Sequence, residues 1–554
     1  MSGLTPGRYM LKLLKESSAA KRVVSTSARA EQSATVLNVE GLSLEQQCPL
    51  RRTMDSLESL MKAPISNDAV QPQTQEYEPQ PFEAIPGPKG LPFFGTIFDY
   101  FKKDGLRFDK MFEAYRQRSL EFGPIYKEKF GPITNVVISD PDVYQKVIRS
   151  EGKTPIRREM EPMAHYRTQK GIGLGLVNSQ GAEWHRYRRV VSKKMLKLKE
   201  VTDFCQPMNE VGDDFVARLR EASDATSKEV PELEKELFKW AMESIGTFLF
   251  EERIGCLSSQ PHPEVKSFID NLQGLFKLMQ PLMYNLPIYK VFPTKLWKQY
   301  EAYSDNVLEC GRYFVDKKVK ALQSSMADEN GQEKGAFLTY LLSQESLSPE
   351  EAAETAVDLM MGAVETTSNA TVWCLYSLAK NPEVQEKLHS EINKVLSHNA
   401  EITPQKLAQL PYVKAVLKET FRLYPITFAT SRILPDKMEV GGFEIPAGTH
   451  VQANLFGMFR NPELYSEPEK FQPERWLRGN TDNKQKALSN LIWGHGARMC
   501  IGRRFAEQEV HLALAKIVQN FKLEYHHEDL EPVLNTVMTP DRPAKISFVP
   551  RQSA

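Results

Sequence analysis

The sequence predicts a mainly α-helical protein with small β-sheets. Long amphipathic segments dominate the chain from residue 106 onward, with the apolar spacing of helices that pack on a core. These segments are 106–122, 199–222, 230–250, 299–326, 350–396 and 404–423. Strand-like runs are shorter and fewer, and they are 133–139, 438–448 and 450–456. With 41% apolar residues among 554, the chain can bury a large core.

Composition argues against several classes of function. Lys and Arg number 71, as do Asp and Glu, so no overall field attracts nucleic acid and we expect none as a partner. The six cysteines are scattered without a CxxC pair, which argues against a zinc site and against a disulfide-stapled secreted domain. A reducing compartment is therefore predicted. No run reaches the roughly 18 apolar residues that cross a bilayer.

The first 80 residues differ in composition from the rest. Residues 1–30 carry six basic residues against a single acid and are rich in Ser and Ala. This pattern is typical of an organellar transit peptide, and also of a flexible basic tail. Residues 31–80 are polar, as in a linker, and the proline-rich run 81–92 favours a stiff hinge. We expect a presequence and linker over residues 1–80 and one folded domain over residues 81–554.

One cysteine lies in a glycine-rich turn. Gly494 and Gly496 precede Arg498 and Cys500, and Gly502 follows at the start of a long amphipathic segment. A thiolate just before a helix is stabilised by unpaired backbone N–H groups and by the helix dipole. The glycines leave room for a flat ligand, and an arginine suits a carboxylate of that ligand. A lone cysteine in such a turn is more often structural, so both interpretations stay open on the turn alone.

A second group of polar residues interrupts an apolar helix. Glu365, Thr366 and Thr367 follow Gly362 and Ala363 within the predicted helix. Polar groups in an apolar stretch cost stability unless they are hydrogen-bonded or used. Two interpretations stay open. In the first, the threonine hydroxyl is hydrogen-bonded to the helix backbone and Glu365 is partly exposed. In the second, Glu365 and Thr366 form an acid–alcohol pair that transfers protons.

The run 493–502 resembles the haem loop FGxGxRxCxG of the cytochrome P450 family, with Trp493 in place of the phenylalanine. Segment 358–384 resembles the family's AGxDTT segment, with three mild departures. The resemblance covers roughly residues 82–551. It implies the family's fold, a mainly helical triangular prism with haem between two central helices.

The resemblance implies haem b as cofactor and Cys500 as the axial ligand of its iron. Glu365 and Thr366 would handle protons as the catalytic pair. The residues expected at the haem propionates are Arg498, Arg432, and the pair Trp184 and Arg188 that matches the family's WxxxR pattern.

A Glu–Arg pair three residues apart on a helix is usually a surface ion pair. Here Glu419 and Arg422 precede a PERW segment that supplies Arg475. In the P450 family these three residues form a structural lock that holds the haem loop, and the resemblance implies the same here.

Four basic residues resemble the mitochondrial branch of the family. Lys414 and Lys418 match the KxxxKExxR pattern, and Arg503 and Arg504 match CxGRRxAE. In that branch the lysines bind an acidic ferredoxin, which passes on electrons from NADPH and ferredoxin reductase. Helices commonly expose Lys and Arg, so the leader and the lack of an apolar anchor add to this prediction.

The branch implies a lipophilic, sterol-like substrate and insertion of one atom of O2. Segment 274–300 mixes aromatic, aliphatic and Lys side chains and corresponds to the family's lid. It favours peripheral contact with the inner mitochondrial membrane on the matrix side. Two alternatives stay open, a rearrangement or dehydration catalyst on the same fold and a haem protein that senses or carries a gas.

Overall fold

The computed structural model describes residues 78–102, 105–131, 133–325, 337–397, 400–480 and 483–551. Residues Pro79–Ala554 form one structural unit. The expected presequence, residues 1–80, lies outside the described residues except for its last three.

The described part is mainly helical, which confirms the predicted fold class. Its α-helices are α1 Met111–Phe122, α2 Pro141–Ser150, α3 Glu161–Gln169, α4 Gly175–Asn178, α5 Gly181–Met195, α6 Leu198–Thr202, α7 Cys205–Ala222, α8 Leu233–Phe250, α9 Pro263–Tyr284, α10 Lys295–Ser325, α11 Phe337–Leu342, α12 Pro349–Lys380, α13 Pro382–Val395, α14 Pro404–Ala408, α15 Pro411–Leu423, α16 Leu455–Phe459, α17 Asn483–Leu491 and α18 Arg503–Asn520. Its strands are β1 Ile125–Phe130, β2 Ile133–Ile138, β3 Ala429–Ile433, β4 Met438–Val440, β5 Phe443–Ile445, β6 His450–Asn454, β7 Phe521–Glu524, β8 Pro532–Asn535, β9 Val537–Pro540 and β10 Ser547–Pro550. Short 3₁₀ turns occur at Phe82–Ala84, Ile97–Tyr100, Phe108–Lys110, Ile288–Lys290, Pro473–Trp476 and Gly496–Arg498.

Two predicted helical segments are divided by proline. Segment 350–396 divides between α12 and α13 at Pro382, and segment 404–423 divides between α14 and α15 at Pro411. Each proline takes the first position of the new helix, where its missing N–H costs nothing, and it prevents the preceding residue from continuing a helix.

The largest sheet has the strand order β1-β2-β6-β3. β1 and β2 form an antiparallel hairpin, β6 is parallel to β2, and β3 is antiparallel to β6. In this register Arg432 of β3 pairs with Val451 of β6, and the isolated bridge between Ile156 and Ile433 lies one residue further on. The sheet therefore brings a segment before α3 next to the strand that carries Arg432.

Helix α12 is buried along most of its length. Ser348 caps it through a reciprocal capping box, because the Ser348 side chain accepts from the Glu351 N–H and the Glu351 carboxylate accepts from the Ser348 N–H. A helix that is apolar on most sides belongs inside a large core. No described helix combines the length and the hydropathy that crossing a bilayer requires.

Candidate active site

The loop before α18 holds Cys500 in a fixed turn. Gly496 has a φ of +68°, and a Cβ there would lie 1.8 Å from Oε1 of Glu151, so only glycine fits. The Cys500 N–H donates to the Trp493 carbonyl at 2.6 Å. Cys500 lies three residues before Arg503, where α18 begins, so it precedes a helix N-terminus, as predicted from the sequence.

Cys500 differs from the other described cysteines because solvent reaches it, whereas Cys205, Cys256, Cys310 and Cys374 are buried. The protein around the sulfur nevertheless raises the pKa of the Cys500 thiol, since burial disfavours the thiolate. The Gly502 N–H and the Arg188 guanidinium lower that pKa and offset part of the burial. These two groups favour the thiolate, as the sequence predicts, but the effect of burial on the pKa is larger.

Four arginines converge beside this loop. Arg188 donates to the Met499 carbonyl at 2.6 Å, and Arg432 is paired with Glu151. Burial, and then the neighbouring guanidinium groups, lower the pKa of Arg498 to about 9 and that of Arg157 to about 10. Four guanidinium groups thus lie beside one carboxylate, that of Glu151, so the cluster has excess positive charge. A dianionic ligand such as haem would balance that charge.

Arg498 is held rigidly and has one free donor. Its guanidinium carbon lies 3.9 Å from the centroid of the Trp184 ring, and its Nη2 donates to the carbonyl of Ser179 at 2.9 Å. Its Nη1 is buried and has no hydrogen-bond partner among the described residues. A buried guanidinium with an unused N–H suits a propionate carboxylate. The structure places Trp184 as a stacking support for Arg498.

Helix α12 presents one open face at the predicted acid–alcohol pair. A Cβ at Gly362 would meet no atom within 4 Å. Thr366 lies four residues further along, on the same side, and its hydroxyl donates to the Gly362 carbonyl at 2.7 Å. The open face leaves room for a flat ligand against the helix backbone, and the hydroxyl is bonded back to the helix until something competes for it.

Glu365 is almost wholly buried. Its Oε1 accepts a hydrogen bond from Asn369 at 3.1 Å, and its Oε2 has no partner among the described residues. Burial raises the pKa of Glu365 to about 8, so the carboxyl keeps its proton at neutral pH.

Glu365 and Asn369 also line a cleft of about 840 Å³. Its other lining residues include charged side chains, among them Glu232, Lys235, Asp541, Arg542 and Lys545. This cleft connects the buried carboxyl with a polar surface.

The three residues of the predicted lock meet in the structure. Arg422 donates to Glu419 at 2.8 and 3.0 Å, and Arg475 donates to Oε1 of Glu419 at 3.0 Å. Trp476 adds an indole N–H at 2.8 Å, and Gln472 adds a backbone N–H at 2.9 Å. Glu419 and Arg422 are almost wholly buried. Glu419 thus ties α15 to the 3₁₀ turn that contains Arg475.

The structure brings together the basic residues of α15 and α18. Lys418 lies near both Glu507 and Arg503 of α18, and burial by the surrounding protein is the main cause that lowers its pKa. Lys418 and Arg504 are exposed, whereas Lys414 is half-buried. Arg503 is engaged within the chain, because it donates to Glu507 at 3.1 Å and to Asn490 at 2.8 Å.

Sequence reasoning missed three residues. Arg157 and Glu151 belong to the arginine cluster, and Asn369 is the hydrogen-bond partner of Glu365. The Arg157–Arg158 pair is visible in the sequence, but nothing in a single sequence distinguishes it from surface arginines. Asn369 could have been found from its spacing, since it follows Glu365 by four residues on one helix.

Comparisons with known proteins identify the family of the chain. The model of the cytochrome P450 family matches residues 85–548. The chain is 56% identical over 539 residues to cytochrome P450 10 of Lymnaea stagnalis, covering 96% of each chain. It is 33% identical over 478 residues to the mitochondrial sterol 26-hydroxylase of Rattus norvegicus, covering 84% of this chain and 89% of the relative. It is 31% identical over 503 residues to the mitochondrial 1,25-dihydroxyvitamin D(3) 24-hydroxylase of Rattus norvegicus, covering 90% of this chain and 95% of the relative. The chain therefore belongs to the cytochrome P450 family, the haem-thiolate monooxygenases that carry haem b.

Proposed function

We propose that this cytochrome P450 inserts one oxygen atom of O2 into a sterol-like lipophilic substrate in mitochondria, while the other atom leaves as water. Electrons come from NADPH through a ferredoxin reductase and a ferredoxin. The observation that carries the proposal is the accessible Cys500 beside an arginine cluster with excess positive charge.

Cys500 supplies the thiolate for the haem iron, and Arg498, Arg188 and Arg432 bind the propionates. Trp184 keeps the Arg498 guanidinium flat against its ring, and Arg157 adds positive charge to the same cluster. Haem b supplies the activation of O2 when it is bound. Binding of carboxylates offsets the cost of burying several guanidinium groups together, so the apoprotein is less stable than the loaded protein.

Glu365 and Thr366 deliver protons from adjacent positions on α12. Glu365 is protonated at neutral pH, so it can donate its proton, and it lines the cleft, from which the carboxylate can then be reprotonated. Thr366 lies on the open face and can pass a proton on once its hydroxyl leaves the Gly362 carbonyl. Asn369 holds the Glu365 carboxyl in place.

The acidic ferredoxin docks on Lys414, Lys418, Arg503 and Arg504. Lys418 and Arg504 offer exposed charge, and Arg503 adds charge while its side chain stays bonded to Glu507. The lock of Glu419, Arg422 and Arg475 holds α15 in the position that this docking needs.

The relatives named mitochondrial and the basic composition of residues 1–30 support a mitochondrial location. Residues 1–80 act as presequence and linker, and residues 81–554 form the catalytic domain. Exposed apolar side chains support peripheral contact with the inner membrane from the matrix side. They are Phe93, Phe94, Phe98 and Phe101 before α1, and Leu286, Ile288, Val291 and Phe292 between α9 and α10.

The sterol-like substrate class is supported by two relatives whose names are sterol 26-hydroxylase and 1,25-dihydroxyvitamin D(3) 24-hydroxylase. Both names describe hydroxylation of a large lipophilic skeleton. An enzyme of that kind takes its substrate from a lipid phase, and the exposed apolar residues between α9 and α10 support contact with lipid.

Cys500→Ser tests the ligand assignment. We expect the variant to lose the red-shifted carbon monoxide band of the ferrous haem-thiolate protein, because a hydroxyl does not replace the thiolate. Cys310→Ser is the matched control, since Cys310 is buried against Glu264, and it should keep the band. A Cys500→Ser protein with the wild-type band would refute the assignment.

Reconstitution with NADPH, ferredoxin reductase, ferredoxin and a sterol tests the reaction. We expect O2 uptake and an oxygenated product. A rearrangement catalyst would turn over without O2 or NADPH, and a gas sensor would bind carbon monoxide without any turnover.

A further inference from the structure

Residues 175–180, here called the acceptor segment, supply hydrogen-bond acceptors to the arginine cluster. Arg498 donates from Nη2 to the Ser179 carbonyl at 2.9 Å, and Arg157 donates from Nη2 to the Val177 carbonyl at 2.7 Å. Ser179 is wholly buried. Hydrogen bonds that are sheltered from water hold their geometry firmly. The position of the acceptor segment therefore sets where these two guanidinium groups lie.

One oxygen of the acceptor segment contacts both arginines. Oε1 of Gln180 accepts from Nη2 of Arg498 at 2.8 Å and from the backbone N–H of Arg157 at 3.1 Å. Two residues earlier, the Asn178 side chain accepts from the Met160 N–H at 2.9 Å, which ties the acceptor segment to the stretch that carries Arg157. A shift of the acceptor segment would therefore move both arginines together.

Asp358 of α12 holds the acceptor segment from its other side. Its Oδ2 accepts from the Leu176 N–H at 3.1 Å, and its carboxylate forms an ion pair with Arg167 of α3. Arg167 also donates to the Gly173 carbonyl at 3.1 Å. Asp358 and Arg167 are each only 2% exposed. Breaking such a pair leaves an uncompensated buried charge, so the carboxylate is kept where it is.

Gly175 allows the chain to pass directly over this ion pair. Its φ is +67°, and a Cβ there would lie 2.2 Å from Oδ2 of Asp358 and 2.3 Å from Nη1 of Arg167. Only glycine fits in that space and in that backbone conformation. The acceptor segment therefore begins in contact with the ion pair, and a change at Asp358 acts on it directly.

Asp358 also lies on the helix that presents the open face. Gly362 and Thr366 follow it on α12 by four and eight residues, so the three lie on successive turns. At a rise of about 1.5 Å per residue, Asp358 and Thr366 are about 12 Å apart along the helix axis. One carboxylate thus connects the arginine cluster with the helix that bears the proposed proton donors.

We propose that Asp358 is a positioning residue, which holds Arg498 and Arg157 in place for the haem propionates through the acceptor segment. The inference rests on the proposed function, which assigns the arginine cluster to the propionates. Hydrogen bonds between a guanidinium and a carboxylate depend strongly on geometry. A change at Asp358 therefore weakens the binding of the propionates more than the binding of the rest of the macrocycle.

Release of two cofactors from the full chain tests this proposal. The chain is loaded with haem b or with its dimethyl ester, in which neither propionate is charged. Transfer to excess apomyoglobin is followed by the Soret band. The wild type should release the ester about a hundredfold faster than haem, because charge-assisted hydrogen bonds are lost on esterification.

Asp358→Asn should release haem about tenfold faster than wild type and the ester at nearly the wild-type rate, so the ratio of the two rates falls about tenfold. The amide offers one oxygen where Arg167 and Leu176 both need an acceptor. A purely structural loosening would speed both releases alike and leave the ratio unchanged. An unchanged ratio in Asp358→Asn would overturn the proposal.

Glu243→Gln is the matched control. Glu243 of α8 is also a buried carboxylate that pairs with an arginine, Arg253, and accepts a backbone N–H, that of Cys256. It contacts neither the acceptor segment nor the arginine cluster through any printed sequence neighbour, since all three residues lie within 243–256. Its ratio of release rates should equal that of the wild type. An equal fall of the ratio in Glu243→Gln would also overturn the proposal.

The double variant Asp358→Leu with Arg167→Met serves where Asp358→Asn does not fold. It removes both charges, and apolar residues in place of a buried ion pair are often neutral or stabilising. The Leu176 N–H still lacks its acceptor, so the ratio should stay about tenfold below the wild-type value. A wild-type ratio in the double variant would contradict the role of Asp358. Equal release of haem and ester by the wild type would instead refute the assignment of the arginine cluster, and this inference with it.

Discussion

At the scale of the residue, the buried carboxyl of Glu365 links stability with proton transfer. Burial raises its pKa to about 8, while the pKa of an unfolded Glu is about 4.3. Between these two pH values the folded protein binds a proton that the unfolded chain releases. The free energy of unfolding therefore falls as the pH rises through that range, by up to about 1.4 kcal/mol per pH unit.

Glu365→Gln should remove this contribution and stop turnover. The amide cannot ionise, so the fall in unfolding free energy between pH 5 and pH 8 should become less steep than in the wild type. Coupled turnover should drop by about a hundredfold or more, because a group that supplies protons is lost. Urea unfolding at several pH values and product formation per NADPH measure the two effects.

Glu509→Gln is the matched control for this variant. Glu509 of α18 is also buried, its pKa is also raised to about 8 by burial, and it has no role in the proposed reaction. We expect the same loss of pH dependence in its unfolding, with normal turnover. Wild-type coupled turnover in Glu365→Gln would contradict the proton role of Glu365.

At the scale of the element, one carboxylate fixes α15. Glu419 accepts hydrogen bonds from Arg422, Arg475, Trp476 and Gln472, and solvent reaches neither Glu419 nor Arg422 to any extent. Arg422 also donates to the carbonyls of Phe459 and Lys470. Removing the acid leaves the buried guanidinium of Arg422 without its carboxylate, which costs more than an intact pair contributes.

Glu419→Gln should lower the free energy of unfolding by about 3–5 kcal/mol. The amide is nearly isosteric, so the loss reports the missing charge rather than a cavity. Thermal unfolding of the haem-loaded protein measures the effect. Lys317→Gln, which removes the exposed pair of Lys317 with Glu252 at 3.5 Å, is the control and should cost less than about 1 kcal/mol. Equal losses in both variants would contradict the importance of the buried charge.

The charge on α15 and α18 should govern electron delivery. With equal numbers of basic and acidic residues in the chain, a local basic surface has to attract the acidic ferredoxin. Lys414→Glu with Lys418→Glu should slow reduction by ferredoxin about tenfold or more at low salt, and the difference should shrink as salt rises. Stopped-flow reduction of the haem measures this rate.

The control for this double variant is Lys266→Glu with Lys320→Glu. It changes the net charge equally but on α9 and α10, so ferredoxin reduction should stay near the wild-type rate. Substrate affinity should stay unchanged in both double variants. Wild-type reduction by the α15 variant at low salt would exclude this surface as the docking site.

At the scale of the whole molecule, a chain of ring contacts links the two groups of exposed apolar residues. Phe101 contacts Phe108 at 5.2 Å between ring centroids, and Phe108 stacks on Tyr284 at 6.0 Å. This chain of rings joins the phenylalanines before α1 to the apolar residues that follow α9. Because the net charge is zero, the proposed membrane contact would depend mostly on insertion of these apolar side chains.

Val291→Ser with Phe292→Ser should weaken binding to vesicles of inner-membrane lipid composition. Solvent reaches both side chains in the free protein, so their insertion contributes roughly 2–4 kcal/mol in total, and most of the bound fraction should be lost. Cosedimentation with vesicles measures the bound fraction. Leu120→Ser with Leu198→Ser is the control, since these exposed leucines lie on α1 and α6, and it should bind as wild type. Unchanged binding by the Val291 and Phe292 variant would remove this surface from the membrane contact.

The helical class and the family could be predicted from the sequence, and the residues of the candidate site could be named from it. Periodic apolar spacing predicts helices because one helix face must pack on the core. The turn around Cys500 could be predicted because its glycines adopt positive φ angles, which other residues rarely tolerate. Proline positions could have predicted the division of 350–396 at Pro382, which the apolar pattern alone did not reveal.

By itself, the sequence determined which residue types are present and which local conformations they adopt, since capping, glycine turns and helix periodicity depend on near neighbours. Tertiary structure alone decided that Arg157, Glu151 and Arg432 meet Arg498, because β3 pairs with a segment almost 280 residues earlier at Ile156. It also decided that the pKa of Glu365 is raised, since a pKa depends on how much protein surrounds the carboxyl. Burial and the distances between charges depend on groups that are far apart in the chain. Only the folded molecule brings those groups together.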